Sequence, residues 1–272
     1  MTLDKVFVCW YNISCKVFCV KGVCIMKITT LGTSHGYTTV GNFYTSTLVE
    51  TDNGSFLVDA GCQADTHMVH LDKDAGKIKA IFITHPHLDH MGGIISTMKD
   101  IERKSKRTQK YTVYLPEDLE AAIRAWADAV HVAIPNASFV FYKEGVIYDD
   151  GALKVEAVQT HHFKVGDEYV SYSFVVETEG KRMLFTGDLS CDGHDFPKVS
   201  AEKEFDLCIS ECTHFKMHHV KDALVNAKFK RIIFNHIWDE WRGEEGEQKW
   251  LSALADVPYP MEFAVDGKTY EL

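Results

Sequence analysis

Residues 84 to 93 read THPHLDHMGG, which places His85, His87, Asp89 and His90 within six positions, directly after an apolar run and before a glycine pair. An imidazole offers a neutral nitrogen and a carboxylate an anionic oxygen, and both ligate first-row divalent cations. His85 and His87, two residues apart on an extended segment, can face one side and hold one ion. Asp89 and His90 lie in the turn that follows and face a second. One strand end therefore supplies two partial sites, and neither is complete.

The missing ligands are available further along the chain. QTHHF at 159–163, FTGDLS at 185–190 and FNHIW at 234–238 each put a metal-type residue after an apolar strand. Asp188, at a strand end before a loop, can bridge two cations. A lone histidine is more often a satisfied polar residue near the core. Four motifs of matching placement, one of them HxHxDH, favour a metal centre instead. Two cations sharing a carboxylate would acidify a bridging water enough to give hydroxide at neutral pH, with Asp89 able to take a proton from it. The chemistry this implies is metal-assisted hydrolysis.

The elements that must position these residues are mostly strands. Residues 26–31, 43–50 and 55–59 are β-branched or aromatic-rich and separated by turn residues, and read as an antiparallel meander. A buried strand at 78–83 delivers the histidine motif. Residues 117–131 carry apolar side chains at helical spacing behind Pro116 and predict an amphipathic helix. Further strands are expected at 139–142, 152–159, 169–177, 181–186, 206–210 and 231–235, with a helix near 219–228. Two halves of strands then helix predict an α+β fold in which sheet packs on sheet, helices cover the outer faces, and the metal-type residues sit on loops at one edge.

Composition narrows the partners. The formal charge of -10 and pI near 5.8 argue against a broad basic surface for nucleic acid. The basic run Lys99 to Lys110 reads as a solvated helix end and loop. Half of the eight cysteines fall before residue 25 and form no secreted disulfide framework, which suits a reducing cytoplasm. Lys5, Lys16 and Lys21 interrupt the apolar first segment, so no uncharged run approaches the roughly 20 residues that span a bilayer. Cys9, Cys15, Cys19 and Cys24 lack the paired CxxC of structural zinc sites. Residues 1–25 are therefore read as an extension outside the fold, and 26–272 as one domain opening at Met26.

With THPHLDH, the histidine of THHF, TGD and FNHIW in that order, and with LGTSHG at 31–36 and FLVDAG at 56–61, the chain from Met26 onward resembles the metallo-β-lactamase fold superfamily. The resemblance implies a four-layer αββα sandwich and, most often, zinc, with manganese or iron also compatible with such ligands. It implies that His85, His87 and one histidine of the 161–162 pair hold one ion. Asp89, His90 and His236 would hold a second, with Asp188 bridging. His162 is favoured over His161, because related sequences often read Thr-x-His and Thr160 fits. Asp59 resembles the buried aspartate that orients the motif loop.

Departures within the superfamily narrow the activity. Flavin-linked diiron members place a glutamate where this chain has Leu88, and β-lactamases commonly place a cysteine where it has Asp188. A thioesterase of the glyoxalase II type keeps the same ligand types and stands as the alternative enzyme. The opening LGTSHG and Asp188 look most like the phosphodiesterase and ribonuclease Z branch. Ribonuclease Z usually carries a long tRNA-gripping arm between its third histidine and its aspartate, whereas only 26 positions separate His162 from Asp188. A small phosphodiester or related ester is therefore expected rather than nucleic acid.

Other residues carry weaker expectations. His214 in ECTHF, with Glu211, could protonate a leaving group. His35 could meet substrate or be an exposed loop residue. Trp238 and Trp241 could line a pocket or pack, and His218 and His219 read as surface. The expected protein is a cytoplasmic dinuclear-zinc hydrolase; the competing class is a metal-bearing protein kept for binding or sensing. The sequence is silent on substrate identity and oligomeric state.

Overall fold

The computed structural model describes residues 26–272 apart from Thr38, Cys62 and Arg107. The expectation of an extension over residues 1–25 lies outside the described residues. The first half carries β1 (Lys27–Gly32), β2 (Ser46–Thr51), β3 (Gly54–Val58), β4 (Ile78–Phe82), β5 (Tyr111–Leu115) and β6 (Ala137–Phe141). The second carries β7 (Gly145–Asp149), β8 (Leu153–Val165), β9 (Glu168–Thr178), β10 (Lys181–Phe185), β11 (Leu207–Cys212), β12 (Ile232–Ile237) and β13 (Met261–Phe263), and β14 (Thr269–Glu271) returns to the first. The helices are α1 (Ala64–His70), α2 (Leu88–Met91), α3 (Ile94–Lys104), α4 (Glu120–Ala129), α5 (Val199–Glu202), α6 (Met217–Asn226) and α7 (Gly243–Ala253).

The strands form two seven-stranded sheets of related design, ordered β14-β1-β2-β3-β4-β5-β6 and β13-β12-β11-β10-β9-β8-β7. In the first, β1, β2 and β3 pair antiparallel, as the meander predicts, and β3 to β6 run parallel. In the second, β7 to β10 are antiparallel and β10 to β13 parallel. Parallel neighbours need crossovers, and the crossovers carry the outer helices.

Both faces of the central strands are buried, and alternation assigns each residue to one face. Phe56, Val58, Ala80 and Phe82 meet Phe174, Val176, Met183, Phe185 and Ile209 between the sheets. Leu57, Ile81 and Ile83 point the other way, onto Ile94, Ile95, Met98 and Ile101 of α3 and Ile123 of α4. Leu184, Cys208, Ile232 and Phe234 likewise meet Val220 and Leu224 of α6 and Trp250 of α7. A fully buried phenylalanine such as Phe82 contributes about 1.5–3 kcal/mol. The result is the α+β αββα sandwich expected from the sequence.

Some elements differ from the sequence reading. The helix expected over 117–131 is the shorter α4, and β5, β7, β13, β14, α2, α3, α5 and α7 are additional. The basic run is a solvated helix end and loop as expected, but its helix is longer: Lys99 to Lys104 are the last turns of α3, which buries Met98, Ile101 and Glu102 while exposing Lys99, Arg103 and Lys104. Glu102 is buried because its carboxylate accepts both the backbone and side-chain N–H groups of Asn136, at 2.9 and 2.8 Å.

The glycines around the motif have a steric cause. The exit of β3 is sewn to the motif by Ala60 N–H to His90 O, 2.7 Å, and Gly93 N–H to Ala60 O, 2.9 Å. A Cβ on Gly93 would sit 2.3 Å from the Gly61 carbonyl, and one on Gly61 would sit 2.4 Å from that of Asp89. Only hydrogen fits between these backbones. Gly93→Ala is expected to cost about 2 kcal/mol through overpacking and to lower the thermal midpoint by about 4–8 °C. A scanning calorimetry midpoint within 1 °C of the parent would contradict this contact.

Candidate metal centre

Five strand ends converge at one edge of the sandwich. From the end of β4, His85 and His87 project on the bent stretch 83–87, and Asp89 and His90 follow on the short helix α2. Tyr142 OH donates to Ile83 O at 2.5 Å and Tyr172 N–H to Thr84 O at 3.1 Å, which fixes this strand end against the second sheet.

The other contributions depend on irregular backbone. In β8 the register with β9 shifts between Thr160 and Lys164, so residues 161–163 bulge out of the ladder. His162 turns inward and His161 outward. In β12 Glu211 pairs with Asn235 and Cys212 with Ile237, leaving His236 as the extra residue at φ 48. Left-handed backbone is costly for a non-glycine residue and marks a position held by its surroundings. Asp59, at the end of β3, is likewise left-handed at φ 61.

Two groups of donors result. His85 Nε2 lies 2.9 Å from His87 Nδ1, and His162 Nε2 lies 3.2 Å from the same His87 nitrogen. Asp188 Oδ2 completes this group at 3.5 Å from His85 and 3.6 Å from His162. In the second, Asp89 Oδ2 lies 3.0 Å from His236 Nε2 and 3.3 Å from His90 Nε2. Asp188 Oδ2 is 3.3 Å from His90 and 3.6 Å from His236. Each group brings its ligand-type atoms within 4.8 Å of one another, and Asp188 belongs to both.

The electrostatics suit cations. Burial holds His85, His87 and His162 below the usual histidine range, so their imidazoles keep a lone pair. Burial also disfavours charge on Asp89 and Asp188, but the surrounding histidines outweigh it and keep both carboxylates ionised. At His90 burial opposes the charged form while Asp188, Asp59 and Asp89 override it. A pocket that favours positive charge on a fully buried group is one that a divalent cation satisfies. Asp188 Oδ1, His90 Nε2 and His236 Nδ1 are buried without a hydrogen-bond partner. These observations fit a metal-ion ligand set.

A surrounding layer fixes the donors. Asp59 accepts Thr84 N–H at 2.8 Å and His90 Nδ1–H at 2.8 Å, which turns His90 Nε2 toward the cluster. Thr160 Oγ1 donates to Asp188 O at 2.9 Å. Glu211, buried, accepts Leu189 N–H and the backbone and Nδ1 of His214, the last at 2.9 Å. Burial would depress His214, but Glu211 and Asp188 lift it to about 9. Its ring stands 4.4 Å from that of His162, and its Nδ1 3.7 Å from Asp188. Glu211, His214 and His236 form a third group of metal-capable atoms at the rim.

His161 leaves the cluster: its Nδ1 meets His194 Nε2 at 2.8 Å, its N–H donates to Asp195 at 2.6 Å, and its ring stacks on Tyr169. Neither His194 nor Asp195 carried a sequence signal, since both sit in an irregular loop. His35 is not an exposed loop histidine: it is 2% exposed beneath Trp238. Trp241 is core, packed on Trp250, and His218 and His219 are exposed, with His219 Nδ1 accepting Lys216 N–H. A surface cleft of about 640 Å³ near Lys154, Arg182 and Lys230 lies at the opposite ends of β8 and β10, away from these donors.

Comparison with known proteins bears on the fold and the family. The chain is 30% identical over 148 residues to ribonuclease BN of Escherichia coli O7:K1, covering 50% of this chain and 46% of that protein, so it spans about half the length of the curated relatives it matches. The metallo-β-lactamase fold protein YhfI from Bacillus subtilis superposes at a TM-score of 0.72, with 18% identity, over 91% of this chain and 100% of the other. Human tRNase Z, short form, superposes at 0.68, with 19% identity, over 90% of this chain and 98% of the other. The fold is that of the metallo-β-lactamase superfamily. Residues 26–238 match the model of the family described as Anti-Pycsar protein Apyc1, and the chain belongs to that family.

Proposed function

We propose that this protein is a dinuclear metal-dependent hydrolase of small phosphodiesters, with zinc the favoured ion. The observation that carries the reading is the double membership of Asp188, one buried carboxylate facing both donor groups. His85, His87 and His162 would hold one ion, Asp89, His90 and His236 the other, and Asp188 both. Bound there, the ions would supply Lewis acidity, which acidifies water and neutralises charge on a phosphoryl oxygen.

The residues do the rest. Asp89 would accept a proton from the attacking water. Glu211 holds His214 Nδ1, which leaves the other ring nitrogen to protonate the departing alkoxide. Water adds across one P–O ester bond, and the products are a phosphomonoester and an alcohol. Between His162 and Asp188 the chain is used by the end of β8, by β9 and by β10, with short turns between them. That stretch has no room for a tRNA-gripping arm, which supports a small substrate.

Purified protein reconstituted with zinc is expected to carry about two metal ions per chain and to hydrolyse bis(p-nitrophenyl) phosphate. The double variant His87→Ala, Asp188→Ala should lose about three orders of magnitude, since several kcal/mol of transition-state stabilisation go with the centre. Turnover that survives in the double variant would sink the proposal. Two ions with turnover on thioesters alone would replace phosphodiesters with the glyoxalase II type of substrate.

The leaving group tests His214 separately. A p-nitrophenolate departs without a proton, whereas the alkoxide of a dinucleoside phosphate or cyclic nucleotide needs one. His214→Ala should lower kcat on the alkoxide-leaving ester by about 10²–10³-fold, with a much smaller loss on the nitrophenyl ester and unchanged metal content. Equal losses on both esters would remove His214 from the proton-donating role.

A further inference from the structure

An aromatic rim stands beside the second donor group. Trp238 follows His236 by two residues and keeps 38% of its surface exposed, and Tyr37 is 73% exposed. Leu88, between His87 and Asp89, is also open to solvent. A Cβ on Gly36 would lie 3.7 Å from the Asp89 carboxylate, so the loop that carries Tyr37 passes directly by that ligand-type residue. Ordinary packing looks different: Trp241, three residues after Trp238, is 2% exposed and lies 5.1 Å from the Trp250 ring.

The rim is held from beneath by a buried histidine. The His35 ring lies 4.7 Å from the Trp238 ring and 5.9 Å from that of Tyr37. Tyr37 N–H donates to His35 Nδ1 at 3.2 Å, so the proton sits on Nε2, which faces Asp239 Oδ1 at 3.3 Å. Thr39 Oγ1 donates to the same Asp239 oxygen at 2.9 Å, and Ser34 Oγ donates to Thr39 Oγ1 at 2.8 Å. Ile237 N–H and Arg242 Nη2 both donate to Thr33 O. The loop after β1 and the loop after β12 are thereby tied into one wall.

We propose that Trp238 and Tyr37 form a recognition platform for a flat ring on one ester group of the substrate, and that His35, through Asp239, is the positioning residue that holds it. The proposal deepens the phosphodiester reading and rests on it. The centre recognises the phosphoryl group common to every phosphodiester and cannot discriminate among substituents. Discrimination falls to the walls, and this wall offers aromatic surface. Phosphodiesters with an aryl or heteroaromatic substituent are preferred over dialkyl esters of equal charge.

Calorimetric titration of the zinc-loaded protein with diphenyl phosphate and with dimethyl phosphate reads the platform without needing turnover. Diphenyl phosphate is expected to bind about tenfold tighter or more. Trp238→Ala and Tyr37→Ala should each reduce that ratio, and His35→Ala should reduce it as far as Trp238→Ala does, all with unchanged metal content. His35→Gln, which keeps a donor for Asp239, should restore most of it. No preference in the parent protein, or a ratio unchanged in Trp238→Ala and Tyr37→Ala, overturns the platform. Failure of the hydrolase reading is seen elsewhere, as absent phosphodiester turnover, and leaves the binding ratio as an independent result.

Discussion

Asp188 presents one carboxylate oxygen to imidazole nitrogens of His85, His90, His162, His214 and His236, all between 3.3 and 3.7 Å away. These separations are longer than hydrogen bonds, and they come from five different points on the chain. Holding a fully buried carboxylate in such company requires that each histidine be placed by its own element and that none move independently. Much of the irregular backbone near the site serves that constraint: the bulges in β8 and β12 and the left-handed Asp59 and His236. Asp188 itself is anchored through its carbonyl by Thr160, and the loop behind it by Glu211.

The two sheets explain why this edge can hold so many donors. Strands β3, β4, β10, β11 and β12 all finish at the same edge, since the parallel pairs within each half align their ends. Apolar residues on both faces of β4 and β10 lock the strands between helices and the opposing sheet. A dry interior next to the site keeps three imidazoles neutral and makes the carboxylates responsive to nearby positive charge. The fold therefore sets both the geometry and the electrostatics of the donors.

Much of this was legible in the sequence, for identifiable reasons. Strands 78–83 and 181–186 announce themselves through the apolar runs Ala80–Ile83 and Met183–Phe185, and HxHxDH and TGD stand at their ends. The two-sheet architecture follows from the strand pattern. What alternation could not reveal was orientation inside a bulge: the period of two does not separate His161 from His162, because the register shift between Thr160 and Lys164 breaks it, and only the resemblance of Thr160 and His162 to a Thr-x-His pattern favoured His162. His35 was ambiguous for a similar reason, as its burial depends on Trp238 and Asp239, some two hundred residues away. The strands β13 and β14 are three residues each, too short to carry a pattern. The helix α3 does show apolar spacing at Ile94, Met98 and Ile101, but the basic run over its last turns obscured it.

In the proposed centre one carboxylate, Asp188, would serve two metal ions held by distinct histidine sets. Anomalous diffraction at the zinc absorption edge, on crystals of the zinc-loaded protein, tests it most directly. Two separate peaks are expected, one among His85, His87 and His162 and one among Asp89, His90 and His236, with Asp188 between them. A single peak, or density confined to the rim group of Glu211, His214 and His236, would contradict the shared carboxylate.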